Sequence, residues 1–277
     1  MRTALISDIH GNRIALDAVL DDARSVGVDE YWFLGDYCAI GPEPGAVLDR
    51  VTNLPGTRFV RGNTDRYVVT GEGPPPRLET VRENPDLIRM YAGMAASFAW
   101  TAGHLVALGW LEWLADLPLE IRHTTPEGAR LLAVHACPGT DDGEGVHPGR
   151  SNDELRALLA GCDADLVFVG HTHEPMVRRV GDVLVVNTGS VSNPRAPDLR
   201  ASWVLLESSA SGIDCEHRRV PYDHAAFAAS VQRSRHPAAD FILSHQRGER
   251  PGFSPHADHT PPPSGRTVRP LGARPRE

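Results

Sequence analysis

The stretch Thr3-Ala4-Leu5-Ile6-Ser7-Asp8-Ile9-His10-Gly11-Asn12 runs from an apolar strand-like segment straight into a turn of carboxylate, imidazole and amide groups. Four more pieces repeat the arrangement: Gly35-Asp36 after Glu30-Tyr31-Trp32-Phe33-Leu34, Gly62-Asn63-Thr64-Asp65 after Thr57-Arg58-Phe59-Val60-Arg61, His135 after Leu131-Leu132-Ala133-Val134, and Gly170-His171-Thr172-His173 after Asp165-Leu166-Val167-Phe168-Val169. Seven side chains able to bind metal (Asp8, His10, Asp36, Asn63, His135, His171 and His173) therefore sit where strands end. In α/β proteins, sites are built at strand ends along one edge of a sheet. A mixture of carboxylate, imidazole and amide oxygen suits borderline and hard divalent ions, manganese, iron, zinc, nickel or cobalt. The pattern predicts a divalent-metal site with donors enough for two ions.

Composition narrows the alternatives. The 277 residues can bury one sizeable core with room for a small insertion. With 28 basic and 36 acidic residues the net charge is -8, so no bulk positive field draws the chain onto nucleic acid. Every basic residue is arginine, and without a lysine neither a P-loop lysine nor Schiff-base chemistry is available. Cys38, Cys137, Cys162 and Cys215 form no Cys-x-x-Cys pair, which argues against a zinc, redox or disulfide framework. The sequence opens directly on a strand with no secretory pattern, and no apolar run approaches the ~20 residues of a membrane span. The expectation is a soluble, cytoplasmic protein without membrane contact; nothing in the sequence sets its oligomeric state.

Periodicity orders the chain. A helix over about 12–26 buries Leu16, Val19, Leu20 and Ala23 on one face. With the strands before and after it, and a second helix beyond a Pro/Gly-rich loop at 40–45, this makes a βαβαβ opening, hence parallel strands. Residues 66–118 break the rhythm. Asn84-Pro85 reads as the N-cap and first position of a helix carrying Leu87, Met90, Tyr91, Met94 and Phe98. A second helix carries Leu105, Leu108, Trp110, Leu111, Trp113 and Leu114. The pair is either ordinary sheet packing or a cap over the metal site. Strands resume at about 119–123 and 131–135. A helix from Asn152, a strand at 166–170, a hairpin turning at Gly181-Asp182, and two strands at 203–207 and 213–220 follow. A helix over 222–235 closes the domain, set at 1–245. Residues 246–277 are rich in Pro, Arg, Gly and Ser and are expected to be disordered.

On these motifs the chain resembles the calcineurin-like metallophosphoesterase superfamily, and most closely its small bacterial phosphodiesterase branch, over about 1–207. The resemblance implies a sandwich of two β-sheets flanked by helices (α/β/β/α) with a helical insertion. It also implies a binuclear centre in which Asp36 bridges, Asp8, His10 and His173 complete one ion, and Asn63, His135 and His171 the other. Manganese leads the candidate ions, with iron, zinc, nickel and cobalt behind it. A hydroxide shared by the ions would be the nucleophile, since metal binding brings the pKa of water from ~15.7 to about 7. Asn12, Asp65 and Arg195 are candidates for substrate contact or for support of the ligands, as is the loop around Asn187 and Ser190.

One departure bears on rate. The family's third motif usually carries a histidine, credited with protonating the leaving group, where this chain has Thr64. A threonine hydroxyl cannot act as a general acid near neutral pH. The functional expectation is binuclear hydrolysis of a small phosphate ester, nucleotides among the candidates, with diesters favoured over monoesters. The alternatives are a catalytically weak scaffold of the same fold, a protein Ser/Thr phosphatase, or a dinucleoside polyphosphate hydrolase.

Overall fold

The computed structural model describes residues 1–195, 197–249 and 266–267. Its first sheet is assembled around β1 (Arg2–Ile6), which pairs in parallel with β2 (Glu30–Phe33), and β2 with β3 (Thr57–Phe59). On the other side β1 meets β9 (Ala201–Ser209) and then β10 (Gly212–Val220), both antiparallel. The two-residue strand β11 (Arg266–Thr267) lies on the outer edge of β10. The second sheet has the order β4 (Glu120–Thr124), β5 (Arg130–Val134), β6 (Leu166–Val169), β8 (Val183–Asn187), β7 (Met176–Val180). Its three middle strands are parallel and its two edges antiparallel.

Strand alternation produces the layers. In β1, Leu5 joins Trp32, Ala133, Phe168, Val186 and Val204 in a core between the two sheets, while Ala4 and Ile6 point to the outer face. There they meet Leu16, Val19 and Leu20 of α1 (Arg13–Ser25) and Val47 and Leu48 of α2 (Pro44–Thr52). The outer face of the second sheet packs Leu132, Val134 and Val167 on Leu155 of α7 (Asn152–Leu158). The architecture is the α/β/β/α sandwich implied by the motifs.

The insertion departs from its expected shape. Asn63, read as the end of a strand, opens α3 (Asn63–Thr70), and α4 (Leu78–Glu83) follows it. Asn84 caps a single 3-10 turn, Pro85–Leu87, that leads into α5 (Ile88–Leu108). Leu105 and Leu108 therefore belong to the first long helix. Gly109, left-handed at φ +77°, ends it, and α6 (Leu111–Ala115) is a short continuation. Leu105 and Leu114 are buried against the outer helical layer, whereas Ile88 and Met90 at the far end of α5 are exposed. After α8 (His224–Ser234), a further helix α9 (Ala239–His245) packs Ile242 on Phe227 and Val231. The predicted disordered tail falls, beyond Glu249 and apart from β11, outside the described residues. Among the described residues, no helix is long and apolar enough to cross a membrane.

The two sheets are also tied by a histidine. His217 on β10 is buried and its Nε2 donates to the carbonyl of Asn187 at the end of β8, 2.7 Å away. Burial pushes its pKa down to about 4, the Asn187 carbonyl opposing and Arg219 adding to the effect. A folded value below the ordinary ~6.5 means the unfolded chain binds the proton more tightly, so stability is full above pH 6.5 and falls as pH drops toward 4. The group should withdraw roughly 3 kcal/mol over that window. Thermal melts of metal-free protein should show it: His217→Gln will lose less stability than the wild type between pH 6.5 and 4.5. Parallel slopes for the two would rule out the neutral buried imidazole.

Candidate metal centre

The seven predicted donors come together where the parallel strands of both sheets end. Asp8 and His10 follow β1, Asp36 follows β2, Asn63 opens α3 after β3, His135 follows β5, and His171 and His173 follow β6. Among the described residues, eight other than glycine have positive φ, and five are in this set: Asp8, His10, Asp36, His171 and His173, between 47° and 66°. That conformation is strained for residues with a Cβ and persists only where the surroundings fix it.

The surroundings do fix it. The amides of Ile9 and His10 both donate to Asp36 O at 2.9 Å, and Asp8 N donates to Gly35 O. Ser192 N and Ser190 Oγ reach the Asp8 carbonyl from the loop after β8. Gly35, at φ +89°, lies so close to the third loop that a Cβ would stand 2.5 Å from Gly62 N and 2.8 Å from Nδ1 of His135. Asp65 clamps the same two loops, its oxygens accepting from the amides of Asp36, Tyr37 and Gly62. Burial and neighbouring Asp36 push Asp65 up to about 7, against the pull of those three donors.

Each imidazole is backed by a carbonyl. His10 Nδ1 donates to Ala39 O, His135 Nδ1 to Leu34 O, His173 Nδ1 to Asn193 O, and His171 Nε2 to Gly143 O, at 2.6–3.2 Å. A carbonyl only accepts, so each of those nitrogens carries the proton, and in the neutral ring the other presents a lone pair to the centre. The lone pairs meet. Nε2 of His10 and Nε2 of His173 are 3.2 Å apart. Asn63 Oδ1 faces His135 Nε2 at 3.0 Å and His171 Nδ1 at 3.1 Å.

The carboxylates complete two groups. Asp8 Oδ2 accepts from Ser7 Oγ and His171 N, while Oδ1 is buried without a hydrogen-bond donor and stands 3.1 Å from Nε2 of His173. Asp36 Oδ1 accepts from Thr64 N, and its Oδ2 lies 3.7 Å from Nε2 of His10 and 3.4 Å from Nε2 of His135. Two clusters have geometry able to hold a cation: Asp8 with His10 and His173, and Asp8 with Asp36 and His135. Burial opposes ionisation of both carboxyls, but His173 and His135 outweigh it at Asp8, and His135 and His10 at Asp36. Both carboxyls are held below their ordinary range. Burial disfavours charge on His135 too, yet Asp36 lifts it to about 10. The pocket's own field asks for positive charge among its donors. A divalent cation fits that demand and displaces the protons.

The supporting candidates separate. Asn12 caps α1, accepting from Ala15 N and donating to Ser192 Oγ. Both it and Asp65 are fully buried, and their hydrogen bonds run to the loops around the centre. Asn187 donates to Gly170 O and Val146 O, setting the path of the His171 loop. Arg195 pairs with Glu174 at 2.9 Å beside that loop and donates to Thr172 O. Sequence reasoning missed Ser7, whose hydroxyl holds Asp8 against Thr188, and Tyr67, whose hydroxyl reaches Asp142. Ser7 adjoins the first motif and could have been suspected, whereas Tyr67 carries no motif signal.

Comparison with known proteins follows the same lines. A model of the calcineurin-like phosphoesterase superfamily domain matches residues 1–211. The chain belongs to that superfamily and is a metal-dependent phosphoester hydrolase. An uncharacterized protein of Methanocaldococcus jannaschii is 29% identical over 250 residues, 84% of this chain and 93% of the relative. The crystal structure of a metallophosphoesterase from Sphaerobacter thermophilus is 26% identical with a TM-score of 0.69, covering 90% of this chain and 99% of the other. A hypothetical protein of Pyrococcus horikoshii shares the fold, with a TM-score of 0.73 at 20% identity over 90% of this chain and 99% of its own.

The contact of the second and third loops can be tested without metal. Gly35→Ala should destabilise the apo protein by roughly 2 kcal/mol or more, about 4–8 °C in Tm for a domain of this size. An unchanged melt would mean that the two loops do not touch.

Proposed function

We propose that the protein hydrolyses small phosphate diesters with two divalent cations, manganese foremost, in the cytoplasm. Asp8, His10 and His173 would hold one ion, Asn63, His135 and His171 the other, and Asp36 would serve both. The observation that carries the binuclear reading is Asp36 Oδ2, which faces an imidazole of each group at 3.4 and 3.7 Å. Bound there, the ions supply Lewis-acid stabilisation of the phosphate and water activated near neutral pH.

The chain's own residues do the rest. The backing carbonyls hold four rings in one tautomer, so no reorganisation precedes binding. Thr64 N fixes the bridging carboxylate, and the Thr64 hydroxyl supplies no proton to a departing alkoxide. The arginines flanking the ligand loops are already engaged: Arg61 and Arg66 with Asp141, Arg66 also with Asp142 and Glu72, Arg195 with Glu174. A monoester dianion would find little further positive charge there, and this favours the singly charged diester.

Two measurements test the reading. Asp36→Asn should lower activity by at least the ~100-fold that supporting partners of metal sites already cost, and metal analysis should show fewer bound ions. Near-normal rates with full metal content would end the bridging assignment. Across phenyl esters of rising phenol pKa, the wild-type rate should fall steeply, and Thr64→His should recover part of it on the poorest leaving groups. A positioned acid is worth ~10²–10⁴-fold, and an unoptimised imidazole should give a fraction of that. A flat wild-type dependence with chemistry rate-limiting would mean that another residue delivers the proton.

A further inference from the structure

An open pocket of about 170 Å³ lies between α3 and α5, walled by Tyr67, Val68, Tyr91, Met94, Phe98 and Ala99 and rimmed by residues 71–74. We propose that it receives a planar aromatic substituent of the phosphodiester whose phosphate occupies the metal centre. The inference rests on the diesterase reading above and specifies its substrate.

Contiguity is the first argument. Asn63 and Thr64 form the first turn of α3, and Tyr67 and Val68 the next, a rise of roughly 1.5 Å per residue along one short helix. The Tyr67 hydroxyl reaches Asp142 at 2.5 Å and also faces the Asn63 amide, so a pocket wall touches a proposed metal ligand directly.

The lining chooses the ligand. Tyr67 and Phe98 meet edge to face, with centroids 5.8 Å apart at 77°, and the Arg66 guanidinium covers one face of Tyr67 at 4.8 Å. Arg66 is itself committed to Asp141, Asp142 and Glu72, so the wall offers aromatic and aliphatic surface instead of an unpaired charge. A second phosphate or a bare sugar would gain little from such a wall. Ligand sites for whole drug-sized molecules run to ~300–1,000 Å³, so a pocket of this volume takes one ring system. The small side chains of α5 at Ala95, Ala99 and Ala102 leave that room.

The test uses non-hydrolysable probes that differ by the ring alone. Manganese-loaded protein is titrated calorimetrically with the monomethyl esters of phenylphosphonate and of methylphosphonate, each singly charged like a diester. Ring stacking contributes enough for the phenyl compound to bind roughly tenfold more tightly. Ala99→Phe and, independently, Ala95→Leu replace exposed helical alanines and fill the pocket; each should bring the ratio of the two constants to within about twofold. Equal affinities in the wild type, or a ratio that survives both substitutions, overturns the pocket assignment and leaves the metal centre standing. If neither phosphonate binds to the metal-loaded protein, the phosphoesterase geometry proposed above fails, and this inference with it.

Discussion

The structure depends on backbone held in the left-handed region at five donor residues. Each such residue costs of order 1–3 kcal/mol, so the five together approach the whole net stability of a typical domain. They persist because the loops carrying them are mutually bonded: Asp36 O takes two amides of the first loop, Asp65 joins the second loop to the third, and Ser190 and Ser192 reach the first from the far end of the second sheet. The sandwich is what makes this possible. Parallel strands in both sheets end at the same edge, so six loops converge there.

The electrostatics follow from that convergence. Two carboxylates and four imidazoles share a largely buried space, and each ring is fixed by a carbonyl behind it. Without cations the arrangement settles by loading protons onto His135 under the pull of Asp36. Bound cations would take the place of those protons, so metal affinity should track both pH and the stability of the domain. Fold and chemistry are coupled here through the same few hydrogen bonds.

Much of this was legible in the sequence, for a physical reason. Each donor lies within a few residues of a strand's end, so local pattern reported the sheet edge and the ligands together. What was illegible is non-local. Asn63 read as the end of a strand, yet the chain turns directly into α3 and Asn63 is that helix's first residue. Asp65 read as a candidate for substrate contact or for support of the ligands, and the amides it holds, two of them 28 and 29 positions away, lie outside any local pattern. The two insertion helices divide later than their apolar residues suggested: α5 carries Leu105 and Leu108 and runs to Gly109, whose left-handed conformation ends it.

Helix α3 serves two surfaces with one rigid element. Its first turn meets the Asp36 carboxylate through Thr64 N, and its next turn walls the pocket through Tyr67. The opposite wall comes from α5, whose N-terminal half carries little of the core: its buried residues are Ser97, Thr101 and Leu105. Substitutions there can alter which ester substituent is accepted without disturbing strands or ligands. A fold that locks its metal donors into strained loops leaves little freedom at the centre itself. Variation in substrate is therefore expected to reside in the insertion, where the packing is loosest and the backbone is unstrained.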